Sequence, residues 1–369
     1  MKKLFKILLK LIIVLLIVVV CYLAYVFFSY HRIEDNLSLE VSSPSETTSE
    51  ALLTGKEYEI LTWNIGYGAY ESDYTFFMDG GVQSWAWSKE RLETNLQKIK
   101  AFLSSASVDF AILQEVDFDA TRTYHFDERV YLTEAFPSYY SVFAQNYDSP
   151  FLFYPLYQPH GKSRSGIMTL SEFPISSALR RQFPLEKGVR VILDLDRCFS
   201  ISRIPVSGGR ELILINMHMS AFTADGQIAV DQLEMVISFM QQEYEKGNWV
   251  IAGGDFNKDL TGLGSSPFGV ESEPYSWSQP IPMSVFDGTN ISLVAAFDEE
   301  NPVPSVRNVN EPYSPSIYQV TVDGFLVTDN IQVTGSEVID LSFSYSDHNP
   351  VKMSFILKST THHLKVMGL

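Results

Sequence analysis

The sequence predicts an α/β fold, a single sheet-rich domain carried behind one N-terminal transmembrane helix. Three observations predict it: an uninterrupted apolar stretch at the amino end, eight apolar runs of strand length, and two amphipathic helices that each lead into one of those runs.

The apolar stretch comes first. Leu11 to Phe28 reads LIIVLLIVVVCYLAYVFF without a charge or a helix breaker, behind Lys2, Lys3, Lys6 and Lys10. A bilayer-crossing helix needs roughly 20 apolar residues, whereas a cleaved secretory signal has an apolar core of roughly 7–15 ending in a small-residue site. No such site follows this stretch, and Cys21 reads as an ordinary residue of the span. Residues 1–30 are therefore expected to be cytoplasmic lysines and a retained single-pass anchor. With Arg32 alone just after the span, the lysine bias puts the amino terminus in the cytoplasm and the bulk of the chain outside the cell. Residues 31–56, rich in Ser, Thr, Glu and Pro, read as a flexible tether. One large domain is expected over 57–358, and a C-terminal tail over 359–369.

Composition narrows the class of that domain. The chain has 369 residues, 46% of them apolar, and only two cysteines, so disorder and a disulfide-stapled scaffold are both excluded. It carries 27 basic and 44 acidic side chains; removing the four lysines of the anchor leaves 23 basic against 44 acidic, a formal −21. Such a domain is poorly suited to holding nucleic acid or anionic lipid by bulk electrostatics. Enzymatic action on a phosphodiester through a metal remains open to it.

The strand-length runs are YEILTWNIG, DFAILQEV, SGIMTLSEF, VRVILDLD, ELILINMHM, WVIAGGDFN, YQVTVDGFLV and NPVKMSFIL. Two helices sit between them. Ser88 to Leu103 places Leu92, Leu96, Ile99 and Leu103 on one face, and Ile228 to Tyr244 does the same with Leu233, Val236, Ile237 and Met240. Residues 258–316, rich in Gly, Pro and Ser, read as a long irregular excursion.

Polar residues stand at the ends of these apolar runs: Asn64, Glu115, His218, Asp255 with Asn257, and Asp323, while Asp347 and His348 precede the final run. Asp and Asn are ordinary turn residues, so each position alone says little. Gathered in one domain they describe a site, because carboxylates at neighbouring strand ends are costly unless they share a cation or hydrogen bonds. Oxygen donors with few histidines and no cysteine suit Mg²⁺ or Mn²⁺ and not zinc. Asp323 and His348 can form the carboxylate–imidazole pair that fixes a histidine tautomer.

These segments resemble a known family. TWNIG around Asn64, LQEVD around Glu115, SGIMTLSEFPI around Ser165, NMHMSA around His218, GGDFN around Asp255, VDGFLV around Asp323 and SDHNPV around His348 look like the ordered motifs of the endonuclease/exonuclease/phosphatase superfamily. The chain looks like a membrane-anchored, bacterial-type member of its DNase- and sphingomyelinase-like branches. The resemblance covers roughly Tyr58 to Leu357 and implies a four-layer α/β/β/α sandwich, DNase I-like, with the site at one edge of two packed sheets. It implies that Glu115 is the principal metal ligand, assisted by Asn64 and Asp347. Asp255 would orient or deprotonate the attacking water, and Asn257 would hold the phosphate or that water. His348, polarised by Asp323, would act as base or stabilise the phosphorane; the resemblance leaves open which group is the general base. His218 would contact the phosphate or protonate the leaving group.

The expected activity is Mg²⁺-dependent hydrolysis of phosphodiesters, nuclease type, by in-line water attack. A lipid-headgroup phosphodiesterase, an inositol- or sugar-phosphate phosphatase and a catalytically silent surface-binding domain are the competing readings. Arg164 and Ser165 are expected to bind substrate, Arg164 within a basic cluster with His160, Lys162, Arg180 and Arg181. The aromatic 67–87 insertion either stacks on substrate, dips into lipid, or packs over the sheet. No apolar hairpin of membrane-penetrating strength is evident in the sequence.

Overall fold

Alternation along the strands decides the layering. A computed structural model of the chain describes residues 2–29, 32–44, 50–185, 196–221, 227–271 and 274–359. The first sheet runs, in spatial order, β15 (Ile331–Val338), β16 (Val351–Leu357), β3 (Glu57–Asn64), β4 (Phe110–Asp117), β6 (Gly161–Ser171), β5 (Tyr140–Leu152) and β2 (Val41–Ser42). The second runs β1 (Leu37–Leu39), β7 (Ser177–Gln182), β8 (Cys198–Val206), β9 (Arg210–His218), β10 (Trp249–Asp255), β14 (Asp323–Thr328) and β11 (Ile291–Ala295). Ile60 and Ile112 of the first sheet meet Leu212, Leu214, Ile251 and Phe325 of the second in the central core. Their strand neighbours Leu61, Trp63, Ala111 and Leu113 face the other way, onto helix α2 (Lys89–Ala106) and helix α3 (Glu128–Ala135). Ile213, Ile215, Val250 and Ala252 face helix α4 (Gln227–Glu245) in the same manner. The period of two thus produces the expected four layers, helix on sheet on sheet on helix.

The two anticipated helices form within a few residues of their sequence bounds. Ser88 caps α2 by accepting a hydrogen bond from the Arg91 backbone N–H at 3.1 Å, and Ser107 ends it in a left-handed turn at φ 49°. Both helices are parallel crossovers, α2 between β3 and β4 and α4 between β9 and β10. Each crossover brings two strand ends to the same edge of its sheet, and there Asn64, Glu115, His218 and Asp255 lie.

Three expectations need correction or completion. Part of the 31–56 tether is ordered on the domain: β1 pairs with β7 and β2 with β5, covering one edge of each sheet. The fully buried Arg180 holds that stretch by donating to the carbonyls of Ile33 and Glu34, while Leu52 is fully buried and bridges to Val206. Within the 258–316 excursion, β11 closes one edge of the second sheet and β12 (Val306–Arg307) pairs with β13 (Gln319–Val320). The run VRVILDLD falls almost wholly outside the described residues, as does the tail from 360.

Helix α1 (Lys2–Ser29) is, among the described residues, the one helix long and apolar enough to cross a membrane, and none of it is buried.

Candidate active site

Sheet register assembles the site. Asp255 at the end of β10 lies directly beside His218 of β9 on one side and Asp323 of β14 on the other. Gly254, one residue earlier, has φ +143°, and a Cβ there would fall 1.9 Å from the Met217 carbonyl oxygen, so only glycine lets β9 and β10 approach this closely. Across the central core, Asn64 ends β3 and Glu115 sits on β4 at a break in its pairing with β6, between Leu113 and Val116. Glu115 adopts φ 56° and Asn257 φ 49°, left-handed conformations that bend the chain at these two points, Glu115 at the break in β4 and Asn257 in the turn after β10.

Hydrogen bonds lock these groups together. Asn64 donates to Asp255 Oδ2 at 3.1 Å, and the Asn257 backbone N–H donates to Asp255 Oδ1 at 2.8 Å. His348 Nδ1 lies 2.8 Å from Asp323 Oδ2, and its Nε2 faces Asp255 Oδ2 at 3.8 Å. His218 Nε2 is 3.4 Å from the same Asp255 oxygen and 4.0 Å from Glu115 Oε1. Ser346 ties the other rim, donating to the Asn64 carbonyl, and Trp63 donates through its indole to the His348 carbonyl at 2.9 Å. All the strand-end residues singled out in the sequence, with Asp347 and His348, therefore converge.

Electrostatics separate two groupings. Burial works against the His348 imidazolium, but the hydrogen-bonded Asp323, with Asp347 and Asp255, outweighs it and lifts the pKa to about 10. Burial, then Arg197 and His348, push His218 well down, so its ring is neutral. Burial first and then Asp347 raise Glu115 to about 7. Two buried carboxylates, Glu115 raised by burial and then by Asp347, and Asp347 raised by burial, with the Asn64 amide beside them, form an all-oxygen donor set that fits a hard divalent cation. Asp255, Asp323 and His348 also present ligand atoms within 4.8 Å of one another, but the Asp323–His348 hydrogen bond already occupies Nδ1, so this trio is better suited to moving and holding protons.

The cleft above the site has a volume of about 1190 Å³. Arg164 and Ser165 do not line it: Arg164 pairs with Asp148 at 3.3 Å and faces Asp119, and Ser165 is buried in β6. Arg180 donates to backbone carbonyls and Arg181 pairs with Asp35, so those two members of the basic cluster are structural. Three arginines that the sequence did not single out, Arg122, Arg197 and Arg307, line the cleft instead. Arg197 is buried, and among the described residues its Nη1 has no hydrogen-bond partner. Its only sequence signal is an arginine directly after a run of strand length. From the aromatic insertion, Tyr67 and Tyr70 line the cleft and also pack over α2, with Tyr70 stacked on Tyr74 at 4.6 Å.

His160, on the cleft wall, makes the fold sensitive to acid. Burial and Arg122 lower its pKa to about 3, against a partial opposing effect from its hydrogen bond with the Ser84 carbonyl. Below about 6.5 the unfolded chain takes up a proton that the folded protein refuses, so stability is full above that pH and declines toward about 3, by up to about 1.4 kcal/mol per pH unit. Urea unfolding near pH 7 and near pH 5 should differ by about 2 kcal/mol on this account. Glu115, raised to about 7, acts in the opposite sense over the same range, so the comparison decides: between pH 7 and pH 5 the wild type should lose about 2 kcal/mol more than His160→Gln, and an equal change in the two proteins would refute the assignment.

The family model for the endonuclease/exonuclease/phosphatase family matches residues 61–348. No curated protein sequence matches the chain significantly. Among solved structures the chain is similar to an endonuclease/exonuclease/phosphatase from Beutenbergia cavernae, with TM-score 0.55 and 18% identity over 82% of this chain and 72% of that one. It is similar to ANGEL2, a 2',3'-cyclic phosphatase in complex with adenosine-2',3'-vanadate, with TM-score 0.53 and 16% identity over 88% and 99%. It is also similar to D. rerio TDP2 complexed with single-strand DNA product, with TM-score 0.52 and 14% identity over 81% and 99%.

Proposed function

Because the chain belongs to the endonuclease/exonuclease/phosphatase family, whose members are phosphoester hydrolases, we propose that it is a divalent-metal-dependent phosphodiesterase working by in-line water attack. The observation that carries this reading is that Asp255 and His348, the latter held by Asp323, line one cleft with the Glu115 and Asp347 carboxylates, with Asn64 hydrogen-bonded to Asp255 beside them. A divalent cation held by Glu115, Asp347 and Asn64 would neutralise charge on the phosphoryl oxygens.

The chain's own groups supply the remaining steps. Asp255, oriented by Asn64 and the Asn257 N–H, holds the water and accepts its proton as the new O–P bond forms. His348, kept cationic by Asp323, stabilises charge developing on phosphorus-bound oxygens. Arg197, whose Nη1 has no partner among the described residues and which lines the same cleft, gives a second donor to the phosphate. Neutral His218 donates a hydrogen bond and is too strongly depressed to deliver a proton from the imidazolium. As the ester P–O bond breaks, the departing oxygen takes a proton from solvent and Asp255 gives up to solvent the one it accepted, so one water is consumed and a phosphomonoester and an alcohol are left.

Removing divalent ions from the full chain in detergent should abolish hydrolysis of the soluble diester bis(p-nitrophenyl) phosphate. Mg²⁺ or Mn²⁺ should restore it, and Glu115→Gln should raise the metal concentration needed by about tenfold or more. Full activity in chelator would overturn the proposal.

A further inference from the structure

We infer that the tip of the β5–β6 hairpin and the exit end of α1 form one bilayer-inserting surface, which opens the cleft toward the membrane and selects a lipid-borne phosphodiester as substrate. The inference rests on the proposed hydrolase activity for its chemistry and on α1 spanning the membrane for its geometry.

Phe153, Tyr154, Leu156 and Tyr157, between the two strands of the hairpin, are 52–85% exposed, a density of bare apolar surface unusual for a soluble loop. This corrects the sequence expectation that no such hairpin exists: prolines and glutamine break FLFYPLYQPH into an unremarkable segment, and only the long β5–β6 pairing reveals it as a projecting tip. The neighbouring loop extends the patch with Met78 and Val82, both more than half exposed. Tyr157 donates to the Val82 carbonyl, and the Tyr154 ring packs on Phe77 at 5.7 Å, so the two loops form one surface.

Helix α1 sets the level of that surface relative to a bilayer. Tyr22 donates to the Phe151 carbonyl and Tyr25 accepts from the Phe151 N–H, both at 3.2 Å, and the Tyr22 ring meets Phe153 edge-on at 5.1 Å. The apolar stretch ends at Phe28. At about 1.5 Å rise per residue, Tyr25 and Tyr22 lie about 5 and 9 Å inside that end, the depth at which tyrosines belong and interfacial apolar groups insert. A hairpin fastened at this level enters the headgroup and upper acyl region when the helix spans. Leu23, Phe27, Phe153 and Met78 line the same cleft as Asp255 and His348, so its mouth is apolar where its floor is polar.

That geometry matches an amphiphilic diester, its phosphate at the polar floor and its chains remaining in the bilayer. A nucleic acid would need a basic track, since phosphate neutralisation by Lys and Arg dominates its affinity. Here Arg164, Arg180 and Arg181 are engaged within the fold, the cleft's Arg122 and Arg307 are committed to Asp117 and to backbone carbonyls, leaving Arg197 as a single phosphate donor and no track, and the chain's net charge is −17.

The full chain is reconstituted into vesicles of phosphatidylcholine and phosphatidylglycerol, as such and with brominated acyl chains. In the Leu156→Trp variant, bromolipid should quench tryptophan emission beyond the loss seen in the unsubstituted protein. Leu156→Glu should lower phosphomonoester release from vesicle lipid by about tenfold or more while leaving hydrolysis of bis(p-nitrophenyl) phosphate unchanged, since Leu156 lies outside the cleft lining. Absence of extra quenching, equal lipid turnover in Leu156→Glu, or faster cleavage of a single-stranded DNA oligonucleotide than of vesicle lipid would overturn the inference. Loss of turnover on every ester, the soluble one included, would strike the hydrolase proposal instead, and the quenching result would still decide the docking surface.

Discussion

Asp255→Asn in the full chain should reduce kcat on a soluble phosphodiester by about 10²–10⁴-fold with little change in thermal unfolding. Asn is the same size and keeps an oxygen to accept the Asn257 N–H, now bonded at 2.8 Å, so the local turn survives. What it lacks is a basic oxygen beside His218 at 3.4 Å and His348 at 3.8 Å. His348→Gln should give a loss of the same order, because it removes the cation that Asp323 holds opposite Asp255. The two residues act on one displacement, so the double variant should be little worse than the poorer single one. Measured kcat for the four proteins, alongside melting curves, checks this; more than a few per cent of activity in either single variant, or losses that multiply, would sink the assigned roles.

Sequence made the site more legible than the fold around it. Asn64, His218 and Asp255 are legible because each ends an apolar strand, where burial releases a polar side chain toward the cleft; Glu115 sits instead at a break within β4, and Asp323, after the apolar run YQVTV, begins β14 and stays fully buried behind His348. The strands left unread fail the apolar pattern for physical reasons. In β7, Arg180 is fully buried but satisfied by carbonyls of Gln145, Ile33, Glu34 and Asp196, so a charged residue sits where an apolar one was expected. In β15 most side chains face solvent, leaving IQVTGSEV with no core stripe to detect. In β5 the alternation of YSVFAQNYDSPFL is broken by Asn146, Asp148 and Pro150, and register shifts accompany those breaks.

The arginines depart from the sequence grouping for a related reason. Proximity in sequence grouped Arg164, Arg180 and Arg181, whereas partner choice is tertiary: each finds a carboxylate or carbonyl from a distant segment. Arg122, Arg197 and Arg307 reach the cleft from three separate loops or strand ends, and no spacing in the chain relates them.

Arg122 shows how such a charge can be kept and what its loss should do. It donates through Nε and Nη2 to both oxygens of Asp117, at 3.0 and 2.9 Å, and lies 3.3 Å above the centre of the Tyr67 ring. Thr123 donates to Asp117 as well, and the Asp117 N–H is received by Glu128 at 2.9 Å. Burial alone would depress the guanidinium; Asp117 and the tyrosines outweigh it and hold it firmly charged. Asp117→Ala leaves that charge buried without its partner and should cost about 3–5 kcal/mol in urea unfolding. Replacing both partners, Asp117→Leu with Arg122→Met, removes the stranded charge and should recover most of that stability. Function should not recover with it. Asp117 lies two residues beyond Glu115 on β4, just past the break that turns Glu115 toward the cleft, and its clamp on Arg122 fixes that turn. The double variant should therefore fold near normally yet need more metal for half-maximal turnover of bis(p-nitrophenyl) phosphate. A stable double variant with unaltered metal dependence would confine the pair to a structural role, and a loss below about 1 kcal/mol in Asp117→Ala would show that water reaches Arg122 in the cleft.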